Sequence, residues 1–212
     1  RMLRGLYYAG IRNREKNLSL AWALQRAAER HPERPALMDE NRQLSYRAFN
    51  AWANRLAWAF KAEGVGHGDV VAVMLENRLE LLAILAGLSK LGAVGALINT
   101  TQRGKVLAHS FNLVEPRVLV IGDELRGAFD EIAAQLQNPQ AKRYWIADQD
   151  CLADAGQAPE CWLNLMLLAA GQAEDNPPDS QCVRMKDACF LIYTSGTTGL
   201  PKASIMSHGK WI

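Results

Sequence analysis

Little in this chain is spaced to hold a metal. Its four cysteines, Cys151, Cys161, Cys182 and Cys189, form no Cys-x-x-Cys pair and have no paired histidines nearby. That pattern argues against zinc and against a disulfide framework. Charge of one sign is scarce too, with 24 Lys and Arg against 22 Asp and Glu for a net of +2. Without a clustered basic face, no electrostatic case exists for nucleic acid as a partner. No signal peptide is visible, so a reducing cytoplasm is the default localisation. The longest apolar stretch, residues 79–98, has the length of a bilayer span, yet Glu80, Ser89, Lys90, Gly92 and Gly95 interrupt it. It reads as a buried helix followed by a buried strand, with a membrane span as the lesser alternative.

What the chain does have is alternation. Residues 70–75 read as a buried strand, 79–91 as a helix and 94–98 as a strand. Residues 106–114 then read as a helix, 117–121 as a strand, 125–136 as a helix and 143–147 as a strand. Continuous apolar strands alternating with helices predict an α/β fold, a parallel sheet with helices on both faces. Ahead of this series, apolar residues at helical spacing predict a helix from Leu20 that His31-Pro32 ends. A hairpin of residues 35–39 and 43–46 follows, then a helix from Tyr46 to Gly64. Phe49, Trp52 and Phe60 on that helix suit core packing better than ligand stacking. A length of 212 residues is enough to bury a sizeable core.

The densest chemistry lies late in the chain, in Tyr193, Thr194, Ser195, Gly196, Thr197, Thr198, Gly199, Leu200, Pro201 and Lys202. Gly196 and Gly199 remove the Cβ atoms that keep an anion away from backbone N–H groups, and they permit turns that make those donors converge. Ser195, Thr197 and Thr198 add hydroxyl donors, Lys202 adds a flexible positive charge, and Pro201 stiffens the chain before it. Residues 189–193 before the string read as a buried strand, and residues 203–207 after it as a second strand. Gly199 and Lys202 are not adjacent, Ala203 follows the lysine, and no helix opens there. The Walker A pattern therefore fails, as does Gly-x-Gly-x-x-Gly. A polar hairpin loop without a ligand is the bland alternative, and the full string is too specific for it to be preferred.

At these residues the sequence resembles the adenylate-forming (AMP-binding) superfamily, which includes acyl-CoA synthetases, peptide-synthetase adenylation domains and luciferases. Leu97-Ile98-Asn99-Thr100-Thr101-Gln102-Arg103, with Ser204-Ile205-Met206-Ser207-His208, is similar to the long-chain and very-long-chain fatty acyl-CoA synthetases of the fatty acid transport protein branch. The resemblance implies an ATP-dependent fatty acid–CoA ligase, with magnesium, and with coenzyme A as co-substrate. It implies that the whole string Tyr193 to Lys202 binds nucleotide. Ser195, Gly196, Thr197, Thr198 and Gly199 would meet the β- and γ-phosphates, Thr194 magnesium, and Lys202, as catalytic residue, the departing pyrophosphate. It leaves open an adenylating enzyme for another carboxylic acid, and a membrane-associated fatty acid uptake protein. The family's later motifs are not found by Ile212, so the expectation is the N-terminal part of an acyl-CoA synthetase large domain, inactive by itself. His208 is a lone histidine after a strand and stays outside the catalytic set.

The expected organisation is an N-terminal arm at 1–17, an α/β subdomain at 18–147, an irregular segment and linker at 148–181, and a strand-loop-strand at 182–212 that starts a further sub-region. Within 148–181, residues 162–170 are expected as a short helix. The arm mixes Arg1, Arg4, Arg12, Arg14 and Lys16 with Leu3, Leu6, Tyr7, Tyr8 and Ile11. It either lies on an anionic membrane surface, giving peripheral contact at its inner face, or packs its apolar side on its own domain. The second is preferred for so short a segment. Cys189, in an apolar strand, reads as a small buried hydrophobe.

Overall fold

The alternating apolar runs fold as the pattern dictates. In the computed structural model, which describes residues 16–147, 159–194 and 199–212, helix α1 (Leu20–Arg30) starts where the Ser19 hydroxyl accepts from the Trp22 N–H at 3.1 Å. Strands β1 (Pro35–Met38) and β2 (Gln43–Ser45) form an antiparallel hairpin. The Ser45 hydroxyl then accepts from the Ala48 N–H and opens helix α2 (Tyr46–Ala62). Strand β3 (Val70–Met74), helix α3 (Leu79–Leu91), strand β4 (Val94–Leu97), helix α4 (Gly104–Leu113) and strand β5 (Val118–Gly122) follow. After them come helix α5 (Arg126–Asp130), strands β6 (Lys142–Ile146) and β7 (Leu163–Asn164), and helix α6 (Leu165–Ala170). The hairpin of β8 (Ala188–Thr194) and β9 (Lys202–Ser207) completes the series.

Among the described residues the main sheet has seven strands in the order β7-β6-β5-β3-β4-β8-β9. Every pair is parallel except β8 with β9, which is antiparallel. β8 pairs with β4, so the late hairpin extends the same sheet. Side chains alternate between its faces. Val71, Val73, Val118, Val120, Tyr144 and Ile146 pack with Leu56, Phe60, Ile84, Leu88 and Leu165 of α2, α3 and α6. Ala72, Met74, Leu119, Ile121 and Trp145 pack with Leu107, Phe111 and Phe129 of α4 and α5. Helices thus cover both faces. Phe60 is fully buried, and Phe49 and Trp52 pack against the first cluster, so the aromatic face of α2 is core.

Two expected helices are shortened. Over 125–136 the chain forms a 3-10 turn at Asp123–Leu125, the short α5, and a second 3-10 turn at Ala133–Gln135. Asn112 of α4 donates to the Gln135 carbonyl at 3.0 Å and accepts from the Gln137 N–H at 2.8 Å, holding the end of that second turn. Over 162–170, Leu163 and Asn164 pair with β6 instead. Asn164 then caps α6 by accepting from the N–H groups of Met166 and Leu167.

The connection from α6 to β8 is strapped across α2 and α3. Trp58 donates to the Asp175 carbonyl at 2.9 Å, Asn54 donates to the Glu174 carbonyl, and Lys61 pairs with Asp179. Cys189 is buried against Ser89, and burial pushes its thiol up to about 12, the behaviour of a small hydrophobe. Among the described residues no helix is long and apolar enough to cross a membrane. Residues 1–15 of the arm, with most of the basic and apolar side chains singled out there, lie outside the described residues, as does Cys151. Lys16 is described, and its carbonyl accepts from the Met185 N–H at 3.1 Å.

Candidate functional site

Because β3, β4 and β8 are parallel, their carboxyl ends reach the same edge of the sheet. The chain leaving β3 crosses one face through α3, while the chain leaving β4 crosses the other through α4. Connections that part in this way leave a crevice between strand ends, the usual ligand position in open α/β sheets. Here it is a cavity of about 300 Å³ lined by residues that include Glu76, Asn77, Asn99, Thr100, Ile192 and Tyr193.

The glycine- and hydroxyl-rich string begins at this edge. Thr194 and Lys202 are the last cross-strand partners of the β8–β9 hairpin, so the backbone brings them together at the mouth of the loop. Gly199 has φ +90°, a conformation strained for any residue with a side chain, although nothing lies within 4 Å of a Cβ built there. The glycine serves the turn, as its place in the sequence implies. Ser195, Gly196, Thr197 and Thr198, the expected β- and γ-phosphate contacts, lie outside the described residues. Leu200 and Lys202 are exposed and Pro201 is half-buried.

Both legs of the hairpin are tied to α4. The Tyr193 hydroxyl donates to the Ser110 carbonyl at 2.6 Å, and burial pushes the phenol's ionisation up, so it remains a donor. Its ring packs against the α4–α5 core. On the other leg, His109 Nε2 lies 3.2 Å from the Pro201 carbonyl. The Ser110 hydroxyl donates to Gln102 Oε1 at 2.7 Å, within the 97–103 segment. That segment is a self-bonded turn, with Asn99 Oδ1 accepting from the N–H and the hydroxyl of Thr101. Gln102 lay inside a motif visible in the sequence. His109 and Ser110 did not, since no local spacing distinguishes them from other residues of an amphipathic helix.

Beside the hairpin, His109 and Leu113 of α4 and Val114 just after it face Leu191, Leu200 and Ile205 across an apolar groove of about 530 Å³. His208 lies at the opposite, amino edge of the sheet. It is buried, its Nδ1 accepts from the Leu20 N–H at 3.3 Å, and desolvation pulls its pKa down to about 4.

The model for the family described as AMP-binding enzyme matches residues 24–212. The chain is 34% identical over 211 residues to a medium/long-chain-fatty-acid–CoA ligase, FadD6, of Mycobacterium tuberculosis, covering 100% of this chain and 33% of that protein. It is 35% identical over 206 residues to long-chain fatty acid transport protein 1 of Mus musculus, covering 94% and 30% respectively. Among solved structures, a Mycobacterium tuberculosis fatty acyl CoA synthetase superposes with a TM-score of 0.74 at 28% identity, over 92% of this chain and 35% of that one. The anthranilate CoA ligase AuaEII, in complex with anthranoyl-AMP, superposes with a TM-score of 0.79 at 25% identity, over 91% and 35%. The chain thus spans about a third of the length of these relatives.

Proposed function

Since the chain belongs to the AMP-binding enzyme family, we propose that the whole protein activates long-chain fatty acids with ATP and transfers them to coenzyme A. A carboxylate is a poor electrophile, so its oxygen first attacks the α-phosphorus of ATP. The bond to the bridging oxygen breaks, and acyl-adenylate and pyrophosphate form. The thiol of coenzyme A then loses its proton and displaces AMP, leaving a thioester. Both reactants of the first step are anions, and the site must offset their repulsion with fixed donors.

The observation that carries this reading is the pairing of Thr194 with Lys202 at the carboxyl edge of the sheet, with a left-handed glycine between them. In this reading Ser195, Gly196, Thr197, Thr198 and Gly199 meet the β- and γ-phosphates, and Lys202 stabilises departing pyrophosphate. Thr194 offers magnesium one hydroxyl oxygen. Among the described residues no cluster of His, Cys, Asp and Glu could hold a metal. Magnesium would arrive with the nucleotide's phosphates, in keeping with its preference for phosphate and water oxygens. When bound, it would neutralise charge developing on the phosphate oxygens.

Pyrophosphate exchange by the whole protein across a panel of carboxylic acids tests the substrate. Exchange stimulated by long-chain acids supports the reading. Stimulation confined to aryl or amino acids would replace it with another adenylating activity.

The transport protein named among the relatives favours a second reading, fatty acid uptake at a membrane with the basic residues of 1–17 as peripheral contact. Sedimentation with anionic vesicles, with and without those residues, tests it. Equal sedimentation would remove the arm from the account.

A further inference from the structure

We propose that His109 and Ser110, neighbours on α4, are positioning residues that hold both legs of the phosphate loop and tie it to the turn after β4. The proposal rests on reading the Tyr193–Lys202 string as phosphate-binding. Among the described residues β9 is the edge strand and pairs with β8 alone. Past Ile192, where the pairing of β8 with β4 ends, the hairpin continues as two strands alone; such a ribbon twists more strongly than a sheet interior, and that motion would reach Lys202. Two bonds oppose it. The hydroxyl of the half-buried Tyr193 donates to the Ser110 carbonyl at 2.6 Å, one residue before the pair that closes the hairpin. His109 Nε2 lies 3.2 Å from the carbonyl of Pro201, immediately before Lys202.

The chemistry of each partner fits the role. A carbonyl only accepts, so His109 must carry a proton on Nε2. Pro201 has a fixed φ and no N–H, so holding its carbonyl orients the peptide plane that enters Lys202. The Ser110 hydroxyl, through its 2.7 Å bond to Gln102 Oε1, links this anchor to the turn whose Asn99 and Thr100 line the crevice. A ligand that shifts that turn therefore pulls on the helix residues that hold the loop.

The test compares wild type, His109→Leu and His109→Gln in the whole protein by amide hydrogen exchange and ATP calorimetry. Leucine removes the donor, whereas glutamine offers an amide N–H at similar reach. Loss of one anchor should speed exchange over 199–203 by about fivefold and weaken ATP by about three- to tenfold, as expected when a bond worth roughly 1 kcal/mol is lost. β3 and β5 should exchange as before, and His109→Gln should restore both readouts to within about twofold. Unchanged exchange over 199–203 overturns the proposal. So does faster exchange spread across β3 and β5, which marks general destabilisation. If wild type fails to bind ATP, the phosphate reading fails and the exchange data judge the anchor alone.

Discussion

Lys90 Nζ lies 2.8 Å from Asn176 Oδ1 and 2.8 Å from Asn50 Oδ1, so a fully buried ammonium on α3 holds the strap between α6 and β8. Both of these partners are neutral amides. Desolvation accordingly pulls the lysine down to about 7.

Stability should therefore depend on pH through Lys90. Its folded pKa is below its unfolded value of 10.5, so between about 7 and 10.5 the unfolded chain binds more protons and stability rises with pH. From pH 7 to 9 the gain is on the order of 2 kcal/mol. Urea unfolding of wild type and Lys90→Met across that range checks it. The wild type should gain relative to the variant as pH rises, and a constant difference would contradict the shift.

His208 acts in the opposite part of the scale. Its folded pKa of about 4 lies below the ordinary 6.5, so its contribution is complete above about 6.5 and fades as pH falls toward 4. The loss is about 2–3 kcal/mol. Asp187, beside His67 and His208, has its carboxyl held below the usual value, and its own contribution fades only in stronger acid. Denaturant titrations of wild type and His208→Phe between pH 7 and 4.5 should converge, and parallel curves would count against the assignment.

Gly92 should not tolerate a side chain. It ends α3 with φ +67°, and an added Cβ would sit 2.5 Å from His67 Cδ2 and 3.2 Å from Val183 Cγ2. Gly92→Ala is expected to destabilise by about 1–3 kcal/mol. Thermal unfolding measures it, and an unchanged midpoint would refute the clash.

The sequence was most legible where a local pattern agreed with its surroundings. Helix α3 matches the apolar run from Leu79 to Leu91 because Gly92 supplies the left-handed cap there. The apolar spacing over 125–136 does not show that the chain divides there into a short helix and a 3-10 turn, the latter held by Asn112 from another helix. Lys90 gave no sign of burial, because a helical lysine is ordinarily solvated and its amide partners arrive from residues 40 and 86 positions away. The loop string announced itself by composition. Its anchors did not, since Ser110 and His109 are 83 and 92 residues from the atoms they hold.

In the proposed reaction Lys202, paired with Thr194 at the mouth of the hairpin, stabilises the pyrophosphate that leaves ATP as the acyl-adenylate forms. ATP–pyrophosphate exchange with a long-chain fatty acid, measured on the whole protein and on Lys202→Ala, tests it most directly. A loss of about 10²–10³ in exchange rate is expected, as for removal of one preorganised donor, with the melting temperature unchanged. Exchange near the wild-type rate would contradict it.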